Sequence, residues 1–366
     1  MSKYPLFKLH DLASEWCKGQ PFKKTDIAEH GQTPCIHYGE LFTKYGVVIN
    51  QCLSKTDVQG KRLSVSGDIL FPASDVTPSG LARCSALMQD NVILGGDIII
   101  MRPRHGNDPR YLSYAINCQK EQILQRVTGA LIKHLSGNSL KSVIIPVPPL
   151  VDQVNLVSKL EKISALITFR KLQLEKLDQL ASSRFIEMFG DPVINPKGWK
   201  KYRFDSLCEN LDSKRKPVTA SERKAGIYPY YGASGIVDYV ADYLFDENIL
   251  LISEDGANLL IRSTPIAFSV TGKVWVNNHA HVVRFQKMSL QKYVEVFFSM
   301  IDIADQITGT AQPKLNQAKL NSMLLPVPEE KLLEKFLAFY EQLDKSKVIG
   351  EKQGIMLEKI TCHDIL

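Results

Sequence analysis

One stretch of the sequence occurs twice, 180 residues apart. Residues 129–148 read GALIKHLSGNSLKSVIIPVP, and residues 309–328 read GTAQPKLNQAKLNSMLLPVP. Seven of the twenty positions are identical without a gap, and both segments end in the triplet Pro-Val-Pro. A period this long indicates duplicated domains, because solenoid repeats span only about 20–50 residues. We therefore expect the chain of 366 residues to fold as two copies of one unit.

The first part of each copy is predicted to be a mixed α/β domain. Short apolar runs alternate with clusters of Gly, Asn, Asp and Pro, a pattern that is typical of β-strands joined by turns. Helical spacing occurs between these runs, so strands and helices share the domain. The predicted strands include Ile69–Phe71, Ile98–Met101, Ile249–Ile252 and His281–Phe285, and the predicted helices are Tyr111–Val127 and Lys292–Ile307.

A long helix is predicted to follow the first Pro-Val-Pro triplet. Apolar residues there recur at alternating spacings of four and three, which is the seam of a coiled coil. The predicted helix runs from Val151 to Met188, and at 1.5 Å per residue it would be roughly 57 Å long. Gly190 and the residues after it supply the stop. The predicted seam residues are Leu156, Leu160, Ile163, Ile167, Leu174 and Leu177.

A second helix is predicted after the second triplet, with a weaker seam. Its predicted seam residues are Phe336, Tyr340, Leu343 and Leu357. Gly350 and Gly354 occupy two further seam positions, and each glycine costs a helix about 1 kcal/mol relative to alanine. We expect a kink, fraying or a close helix contact at these two glycines.

Charge and cysteine content narrow the class of protein. The net charge is +6, with 17 basic against 12 acidic residues in 1–150 and 15 against 13 in 199–328. An excess in the two α/β segments favours a polyanionic partner. The seven cysteines form no CxxC pair, so neither a zinc ribbon nor a disulfide framework is supported. No apolar run approaches the roughly 18 residues of a membrane span, and no secretory signal is evident, so we expect a cytoplasmic protein without membrane contact.

The motifs of common catalytic sites are missing. The sequence contains no Gly-rich phosphate loop followed by Lys-Ser/Thr and no HExxH. His279 and His281 share one strand face without a third ligand nearby in the sequence, so no metal site is predicted. The segment 195–197 lacks the second proline and the aromatic residue of the Asn-Pro-Pro-aromatic signature of adenine methyltransferases. We expect a binding protein that has no catalytic residue and no cofactor of its own.

Several motifs, in their order along the chain, resemble the specificity (S) subunits of type I restriction–modification systems. The central region carries IPVPPL at 145–150, then the heptads, then FIEMFGDP at 185–192 and Gly-Trp at 198–199. Two further segments, YPYYGASGI at 228–236 and GKVWVNNHA at 272–280, are similar to motifs of the family's recognition domains. The resemblance covers essentially the whole chain, and it departs from the family pattern after the second triplet, where Glu329-Glu330 replaces Pro-Leu.

The resemblance implies both an architecture and a function. The implied fold is α/β (α+β), with two duplicated target-recognition domains separated by two long antiparallel coiled-coil helices in pseudo-two-fold arrangement. Each domain would read one half of a bipartite site in double-stranded DNA. Methyltransferase subunits would bind the helices and carry S-adenosylmethionine, and restriction motor-nuclease subunits are a further implied partner. The implied segments are 1–149 for the first recognition domain, 150–190 for the central helix, 191–327 for the second recognition domain and 328–366 for the distal helix.

Candidate DNA contacts are basic, amide, hydroxyl or imidazole side chains in predicted loops and turns, since such groups contact phosphates and base edges. A structural role is the alternative for each: a solvated face for the lysines, or a buried, bonded hydroxyl for the tyrosines. In the first domain the candidates are Lys23, Lys24, Lys61, Arg62, Arg83, Arg102, Arg104, His105 and Lys133. In the second domain they are Lys214, Arg215, Lys216, Tyr230, Tyr231, Ser234, Asn258, Arg262, Lys273, Asn278, His279, Gln312 and Lys314.

Three other functions stay open on the sequence alone. A self-contained methyltransferase or nuclease would bind S-adenosylmethionine by itself. A coiled-coil scaffold for proteins would lack the salt-sensitive, sequence-selective DNA binding that phosphate neutralisation produces. A DNA-recognition subunit of a related methylation or defence complex without a motor subunit would have the same sequence features.

Overall fold

A computed structural model describes residues 3–309 and 312–363, and at 355 and 357–363 it describes the backbone alone. The chain divides into two compact units, residues 1–170 with 352–366 and residues 171–351. Each unit contains one α/β copy and a part of both long helices. The segment boundaries at 149/150 and 327/328 stay a prediction.

From residue 3 onwards, the first copy contains twelve short strands and six short α-helices, followed by the first long helix. Its strands are β1 (Leu6–Lys8), β2 (Ala13–Lys18), β3 (Thr33–Ile36), β4 (Val48–Ile49), β5 (Ser54–Thr56), β6 (Asp68–Pro72), β7 (Ser74–Asp75), β8 (Ser85–Leu87), β9 (Ile93–Leu94), β10 (Ile98–Pro103), β11 (Lys133–His134) and β12 (Ile144–Pro146). Its helices are α1 (Leu9–Leu12), α2 (Glu40–Thr43), α3 (Pro78–Leu81), α4 (Pro109–Asn117), α5 (Lys120–Leu124) and α6 (Gly137–Leu140), and the long helix is α7 (Leu150–Phe189).

The second copy has ten strands in the residues described, and it leads into the second long helix. Its strands are β13 (Lys201–Arg203), β14 (Glu209–Asn210), β15 (Ala225–Gly232), β16 (Gly235–Val240), β17 (Phe245–Asp246), β18 (Ile249–Ser253), β19 (Ala267–Val270), β20 (Lys273–Val276), β21 (Ala280–Arg284) and β22 (Leu324–Pro326). Its helices are α8 (Asn258–Ile261), α9 (Met288–Met300) and α10 (Gln317–Ser322), and the long helix is α11 (Glu330–His363).

The two copies share the central strand order of each sheet and differ at the edges, where β4 joins the larger sheet of the first copy and β17 joins the smaller sheet of the second. The first has a sheet of order β2-β10-β6-β8-β4 and a smaller one of order β5-β3-β9. The second has the orders β14-β21-β18-β19 and β16-β15-β20-β17. In both copies a two-stranded ribbon, β1-β12 or β13-β22, closes the unit just before the long helix. The duplication inferred from the repeat is therefore a duplication of structure.

The central strands are apolar on both faces because each separates two cores. Successive side chains of a strand point to opposite faces of its sheet. Ile69 and Phe71 of β6 belong to the core that includes α4 and the start of α7, whereas Leu70 belongs to the core shared with the smaller sheet. In β18, Leu250 and Leu251 divide between two cores in the same way. The predicted strands are found, and each is buried along most or all of its length.

Two predicted helices are shorter than the sequence suggested. The stretch 111–127 forms two helices, because the backbone leaves helical geometry at Gln119 (φ −98°, ψ 34°). The stretch 292–307 ends as an α-helix at Met300, since Ile301 is extended and Asp302 then accepts a hydrogen bond from the Ala304 N–H (2.8 Å). In both stretches the apolar pattern of a helix continues past the residue at which the α-helix ends.

The first long helix matches its prediction within one residue at each end. It runs over 40 residues, about 60 Å, and Gly190 ends it with a positive φ of 82°. All six predicted seam residues are buried or half-buried, and Leu160 is 1% exposed. The flanking apolar residues Phe169 and Leu172 are 67% and 48% exposed, so the burial follows the seam and not hydrophobicity alone.

The second long helix is continuous through both glycines. In the second unit it runs antiparallel to α7, since Phe336 packs on Phe185 (ring centroids 5.7 Å apart) and Gly350 lies against Leu174. A Cβ at position 350 would be 3.3 Å from Leu174 Cδ2, so this glycine makes the close helix contact that was one of the expected outcomes. The seam residues Phe336, Tyr340 and Leu343 are buried or half-buried, whereas the side chain of Leu357 lies outside the described residues.

Candidate nucleic-acid interface

Three loops of the second copy meet at the end of strand β18. The Glu254 N–H donates to the His279 carbonyl oxygen (2.9 Å), and the Leu315 N–H donates to the Glu254 carbonyl oxygen (2.8 Å). The Gly256 N–H donates to the Pro313 carbonyl oxygen (3.0 Å). We call this meeting of residues 253–257, 277–279 and 312–315 the second junction. It brings together four predicted site residues: Asn278, His279, Gln312 and Lys314.

Two neighbouring segments extend the second junction. The Ser253 hydroxyl donates to the Ala233 carbonyl oxygen (2.5 Å), which places the exposed Ser234 of the β15–β16 turn beside it. The short helix Asp212–Lys214 is attached to β21, because the Leu211 N–H donates to the Val282 carbonyl oxygen (2.8 Å). Lys214 is exposed next to this attachment, so the predicted basic loop and the predicted amide residues share one edge of the copy.

The exposed side chains of this edge are mostly free to bind a partner. Lys214 and Lys216 are exposed, and within the described residues no carboxylate lies within 4 Å of either ammonium group. Asn278 and Gln312 are also exposed. His279 is held by Asp255 (Nδ1 to carboxylate, 2.9 Å), although 46% of its side chain is exposed. Lys314, which is 49% exposed, pairs with Glu254 at 3.0 Å.

Beneath the exposed residues lies a buried network of charged groups. His281 Nδ1 is 2.6 Å from Asp212, and His281 Nε2 is 2.8 Å from the Leu315 carbonyl oxygen. Arg215 pairs with Glu254 (2.6 Å) and with Asp212 (3.3 Å). Burial alone would raise the pKa of Asp212, but the hydrogen bond and charge of His281 lower it below its ordinary value. The pKa of Glu254 is also lowered against the effect of burial, by hydrogen bonds from Arg215 and Lys314.

The network has the residue types of a metal site but not its electrostatics. One ligand atom each of Asp212, Glu254 and His281 lies within 4.8 Å of the others. The guanidinium of Arg215 already contacts both carboxylates, and Lys314 adds a second cation at Glu254. A divalent ion would have to displace these cations, so the arrangement is an ion-pair network that fixes the edge. Sequence reasoning missed this role of Asp212 and Glu254, since their partners are distant in the chain.

The first copy repeats the junction with different side chains. The Ala73 N–H donates to the Asp97 carbonyl oxygen (2.8 Å), and the Leu135 N–H donates to the Ala73 carbonyl oxygen (2.9 Å). Thr128 and His134 exchange backbone hydrogen bonds (3.0 and 2.8 Å), as Thr308 and Lys314 do in the second copy (2.8 Å each). We call residues 73–77, 95–97 and 128–135 the first junction. The same backbone frame therefore carries a different surface in each copy.

The predicted basic residues of the first copy do not all lie at its junction. Lys23, Lys24 and Lys61 are exposed, and the two lysines of the pair border a cavity of about 460 Å³ together with His37 and Asp97. Arg104 and His105 are exposed in the turn after β10. Because Asp97 precedes β10 and Arg104 follows it, about 23 Å of extended chain separates Arg104 from the junction.

Four candidates of the first copy are engaged in structural contacts. Arg102 makes a two-pronged ion pair with Asp68 (2.8 and 2.9 Å) and a third contact to Glu15 (3.0 Å). Arg62 also contacts Glu15, at 3.4 Å. Arg83 donates to the carbonyl oxygens of Phe42 and Tyr45, and burial lowers its pKa. Lys133 is not in a loop but in β11, and its ammonium group donates to the carbonyl oxygens of Gly129 and Ala130 (2.8 Å each).

The structure corrects two candidates of the second copy, which are buried, and shows structural hydrogen bonds for two others. Tyr230 is 1% exposed and its hydroxyl bonds to Val218, so it is a core residue. Arg215 belongs to the buried network, where its side chain is 13% exposed. Arg262 donates to the carbonyl oxygens of Phe298 and Ile301 (2.9 and 3.0 Å), and burial lowers its pKa. Asn258 closes its own loop through hydrogen bonds with the Thr264 backbone (3.0 Å each).

Two remaining candidates lie on the smaller sheet of the second copy. Tyr231 is half-buried against Phe268, and burial raises the pKa of its hydroxyl. Lys273 is exposed, and its ammonium group lies 4.8 Å from the ring centroid of Tyr243. Neither residue belongs to the second junction, so DNA contact by these two residues stays a prediction.

The fold and the junctions define a class of protein: a duplicated α/β module, each copy ending in a long helix, with a variable loop edge on a constant frame. The chain belongs to the type I restriction modification DNA specificity domain family, whose model matches residues 1–179 and 196–363. The predicted family and fold class are thereby confirmed.

Individual relatives agree with this assignment. A Haemophilus influenzae protein described as a type I restriction enzyme specificity subunit is 35% identical over 130 residues, which is 36% of this chain and 33% of the relative's length. The MjaIX specificity subunit of Methanocaldococcus jannaschii is 22% identical over 298 residues, 70% of this chain and 67% of that protein. The solved S subunit of M. genitalium covers 98% of this chain and 94% of its own, with a TM-score of 0.51 and 15% identity, and it shares the fold.

Helices able to cross a membrane are not found in the part of the chain that the structure describes.

Proposed function

We propose that this chain is the DNA-recognition subunit of a type I restriction–modification complex, and that each α/β copy reads one half of a bipartite target through its junction. The observation that carries the proposal is the repeated junction: identical backbone hydrogen bonds hold two loop edges whose exposed side chains differ. Such an arrangement suits a protein that must read two different half-sites with one fold. Membership of the DNA specificity family supports the same conclusion.

The chemistry of the second junction matches the groups that proteins use on duplex DNA. Asparagine and glutamine recognise adenine by paired hydrogen bonds in the major groove, whereas lysines contact phosphates without reading sequence. We assign base contacts to Asn278 and Gln312, with Ser234 beside them. Lys214 and Lys216 are assigned to phosphates, since both are exposed and lack a carboxylate partner among the described residues.

Single substitutions in the assembled complex separate these two roles. Asn278→Ala should cost about 1–3 kcal/mol of binding and relax specificity at one base pair. Lys214→Ala should weaken binding to every sequence and lower the slope of log K against log salt by about 1. Lys201→Ala, an exposed lysine in β13, is the matched control and should change neither quantity. Equal effects of all three substitutions would contradict the assignment.

Genome methylation tests the function as a whole. Deleting the gene should abolish N6-methyladenine at one bipartite motif with a non-specific spacer, and returning it should restore the mark. Single-molecule sequencing of the genome measures both half-sites together. An unchanged methylome, combined with no sequence-selective binding by the complex, would favour the scaffold alternative.

The outer face of the first long helix fits the role of a partner surface. Large exposed apolar patches mark interaction sites on soluble proteins. Val151 and Phe169 of α7 lie on one face, because the 18 residues between them make five helical turns, and they are 73% and 67% exposed. We assign this face to the methyltransferase subunits, which would carry S-adenosylmethionine and the catalytic residues. Phe169→Ser should reduce co-purification of these subunits, whereas Lys171→Ser, which is exposed on α7 about 160° around the helix from Phe169, should not.

We also propose that this chain has no catalytic role and binds no S-adenosylmethionine by itself. Titration calorimetry of the isolated chain with S-adenosylmethionine should give no binding heat, whereas the complex with methyltransferase subunits should bind the cofactor. Binding by the isolated chain would revive the alternative of a self-contained methyltransferase.

A further inference from the structure

An apolar patch lies at the first junction, and the aligned sequence positions of the second copy carry no large apolar side chain. Leu131, Ile132 and Val76 are 89%, 55% and 74% exposed. The register of β7 and β11 pairs Asp75 with Lys133, so Val76 and Ile132 are the next residues on the two paired chains. The register therefore places Val76 opposite Ile132, with Leu131 next to it in the chain, and we call these three exposed residues the apolar tip.

The loop that carries the apolar tip is held in a fixed shape. Thr128 and His134 close it by two backbone hydrogen bonds (3.0 and 2.8 Å). The Lys133 ammonium group donates to the carbonyl oxygens of Gly129 and Ala130 from inside the loop. Gly129 has a positive φ of 100°, and a Cβ there would lie 2.1 Å from the Ile132 carbonyl oxygen. A loop fixed in this way presents its apolar side chains to a partner at a low entropic cost of ordering.

The surroundings of the apolar tip favour a polyanion over a protein partner. A cavity of about 290 Å³ next to it is lined by Lys18, Arg126 and His134 as well as by the carboxylate of Asp97. Lys133 and Asp75 lie on the two paired strands themselves. The basic groups outnumber the carboxylates, and the tip is continuous with the junction that we assign to DNA.

We propose, as an extension of the proposed function, that the apolar tip makes the first copy read its half-site by apolar contact with a base. DNA offers two such surfaces: the C5-methyl group of thymine, and the face of a base step that an inserted side chain has opened. Leu131 contacts the base, and it is flanked by Ile132 on its own chain and by Val76 on the paired chain. The first copy thus uses apolar readout where the second uses amide groups.

The corresponding sequence of the second copy explains why the contact is confined to one half-site. The repeat aligns Leu131 and Ile132 with Ala311 and Gln312, and the junction hydrogen bonds align Val76 with Ala257. None of these three is a large apolar side chain. An effect of the apolar tip on the second half-site is therefore not expected.

The test uses the complete complex on its methylation target. The half-site of the first copy is the one whose recognition Asn278→Ala leaves intact. The double variant Leu131→Ser/Ile132→Ser should bind this target at least tenfold more weakly, and the loss should vanish when the first half-site is scrambled. Leu53→Ser, which changes a 70% exposed apolar residue elsewhere in the first copy, is the matched control and should bind as the wild type does.

Two DNA probes distinguish the two apolar surfaces. Replacing thymine by deoxyuridine removes the methyl group, and the resulting loss of affinity should occur in the wild type and not in the double variant. If a base step is opened, 2-aminopurine placed in the half-site should brighten with the wild type only. Either result supports the proposal.

Three outcomes would overturn it. The double variant could bind the first half-site as tightly as the wild type does. It could fail to assemble with the methyltransferase subunits, which would make the apolar tip a protein contact. The wild-type complex could show no sequence-selective binding, in which case the proposed function itself fails first.

Discussion

The interiors of the two junctions differ more than their backbones do. In the second copy, Asp212, Glu254 and His281 form a buried polar network around Arg215. Aligned through strand register and junction hydrogen bonds, the corresponding positions of the first copy are Lys18, Ala73 and Ile99, of which Lys18 is exposed and Ile99 is 1% exposed. The same backbone frame thus tolerates a charged interior and an apolar one.

The contacts that recur in both copies are those that hold the backbone of each copy in place. Tyr111 donates to the Pro146 carbonyl oxygen (2.9 Å), and Tyr293 donates to the Pro326 carbonyl oxygen (2.5 Å), so each Pro-Val-Pro triplet is tied to its own helix α4 or α9. The ion pair between Arg102 and Glu15 recurs as the pair of Arg284 with Glu209. The two copies therefore differ mainly in the side chains of their junctions, which are the surfaces that we assign to DNA.

Arg215→Ala is expected to have the largest effect, because it should destabilise the second copy and leave the first nearly unchanged. It leaves Asp212 and Glu254 buried with less compensating charge, and removal of one partner from a buried ion pair costs about 3–5 kcal/mol. Hydrogen exchange of the full chain should show lost protection in β18, with little change in β6 of the first copy. Lys214→Ala, one residue away and exposed, should leave both strands protected. Equal loss in both copies would show that the network does not stabilise the second copy selectively.

A fall in pH acts on the same network with all its partners present, so its effect is smaller. The pKa values of Asp212 and Glu254 are lower in the folded chain than their ordinary values. Their contribution to stability is therefore full above about pH 4, near the unfolded values, and it is lost as pH falls through the folded ones. Protection of β18 should decline on acidification before that of β6. The double variant Asp212→Asn/Glu254→Gln should reduce this difference.

Removing the hydroxyl of Tyr111 or of Tyr293 should destabilise the two copies by equal amounts. Tyr111→Phe and Tyr293→Phe each remove a hydroxyl that donates to a carbonyl oxygen of the triplet. Leaving a buried acceptor without its donor costs about 1–3 kcal/mol. Local stability measured by hydrogen exchange at β12 or β22 should fall in the mutated copy only. A loss in one variant without the other would show that the shared frame is not energetically equivalent.

Alanine substitutions at the two glycines of α11 should have the smallest effects on the stability of the chain, and the two effects should differ. Among the described residues, the Cβ of Gly354→Ala meets no heavy atom within 4 Å, so the helix should gain up to about 1 kcal/mol. Gly350→Ala gains the same propensity but brings a Cβ to 3.3 Å from Leu174, which offsets part of the gain. Thermal unfolding followed by circular dichroism should rank Gly354→Ala above Gly350→Ala. The reverse order would contradict the close contact at Gly350.

The sequence predicted the parts of the structure that local periodicity determines. The repeat indicated two copies, and the heptad spacing placed the first long helix within one residue at each end. Alternation and turn residues located the central strands. The breaks at Gln119 and Ile301 were missed, because the apolar pattern continues across them while the backbone changes.

The sequence could not predict which polar residues are already engaged. Arg215 and Glu254 are 39 residues apart, and His281 and Leu315 are 34 apart, so no local pattern reveals their contacts. Tyr230 lies in a Gly-rich segment that suggests an exposed turn, yet the strand buries it. The grouping of Asn278, Gln312 and Lys214 at one edge likewise depends on backbone bonds between distant loops. DNA contact by the exposed members of that group stays a prediction.

The two-stranded ribbons make each copy begin and end at the same place. β1 pairs with β12 through Leu6–Pro146, and β13 pairs with β22 through Lys201–Pro326. Everything between the two strands of a ribbon, including the whole junction, can therefore be exchanged as a cassette without changing how the long helix starts. If each copy reads its half-site as we propose, recombination between two such genes at the ribbons would create a new target sequence in one step, without changing the helix faces that we assign to partner subunits.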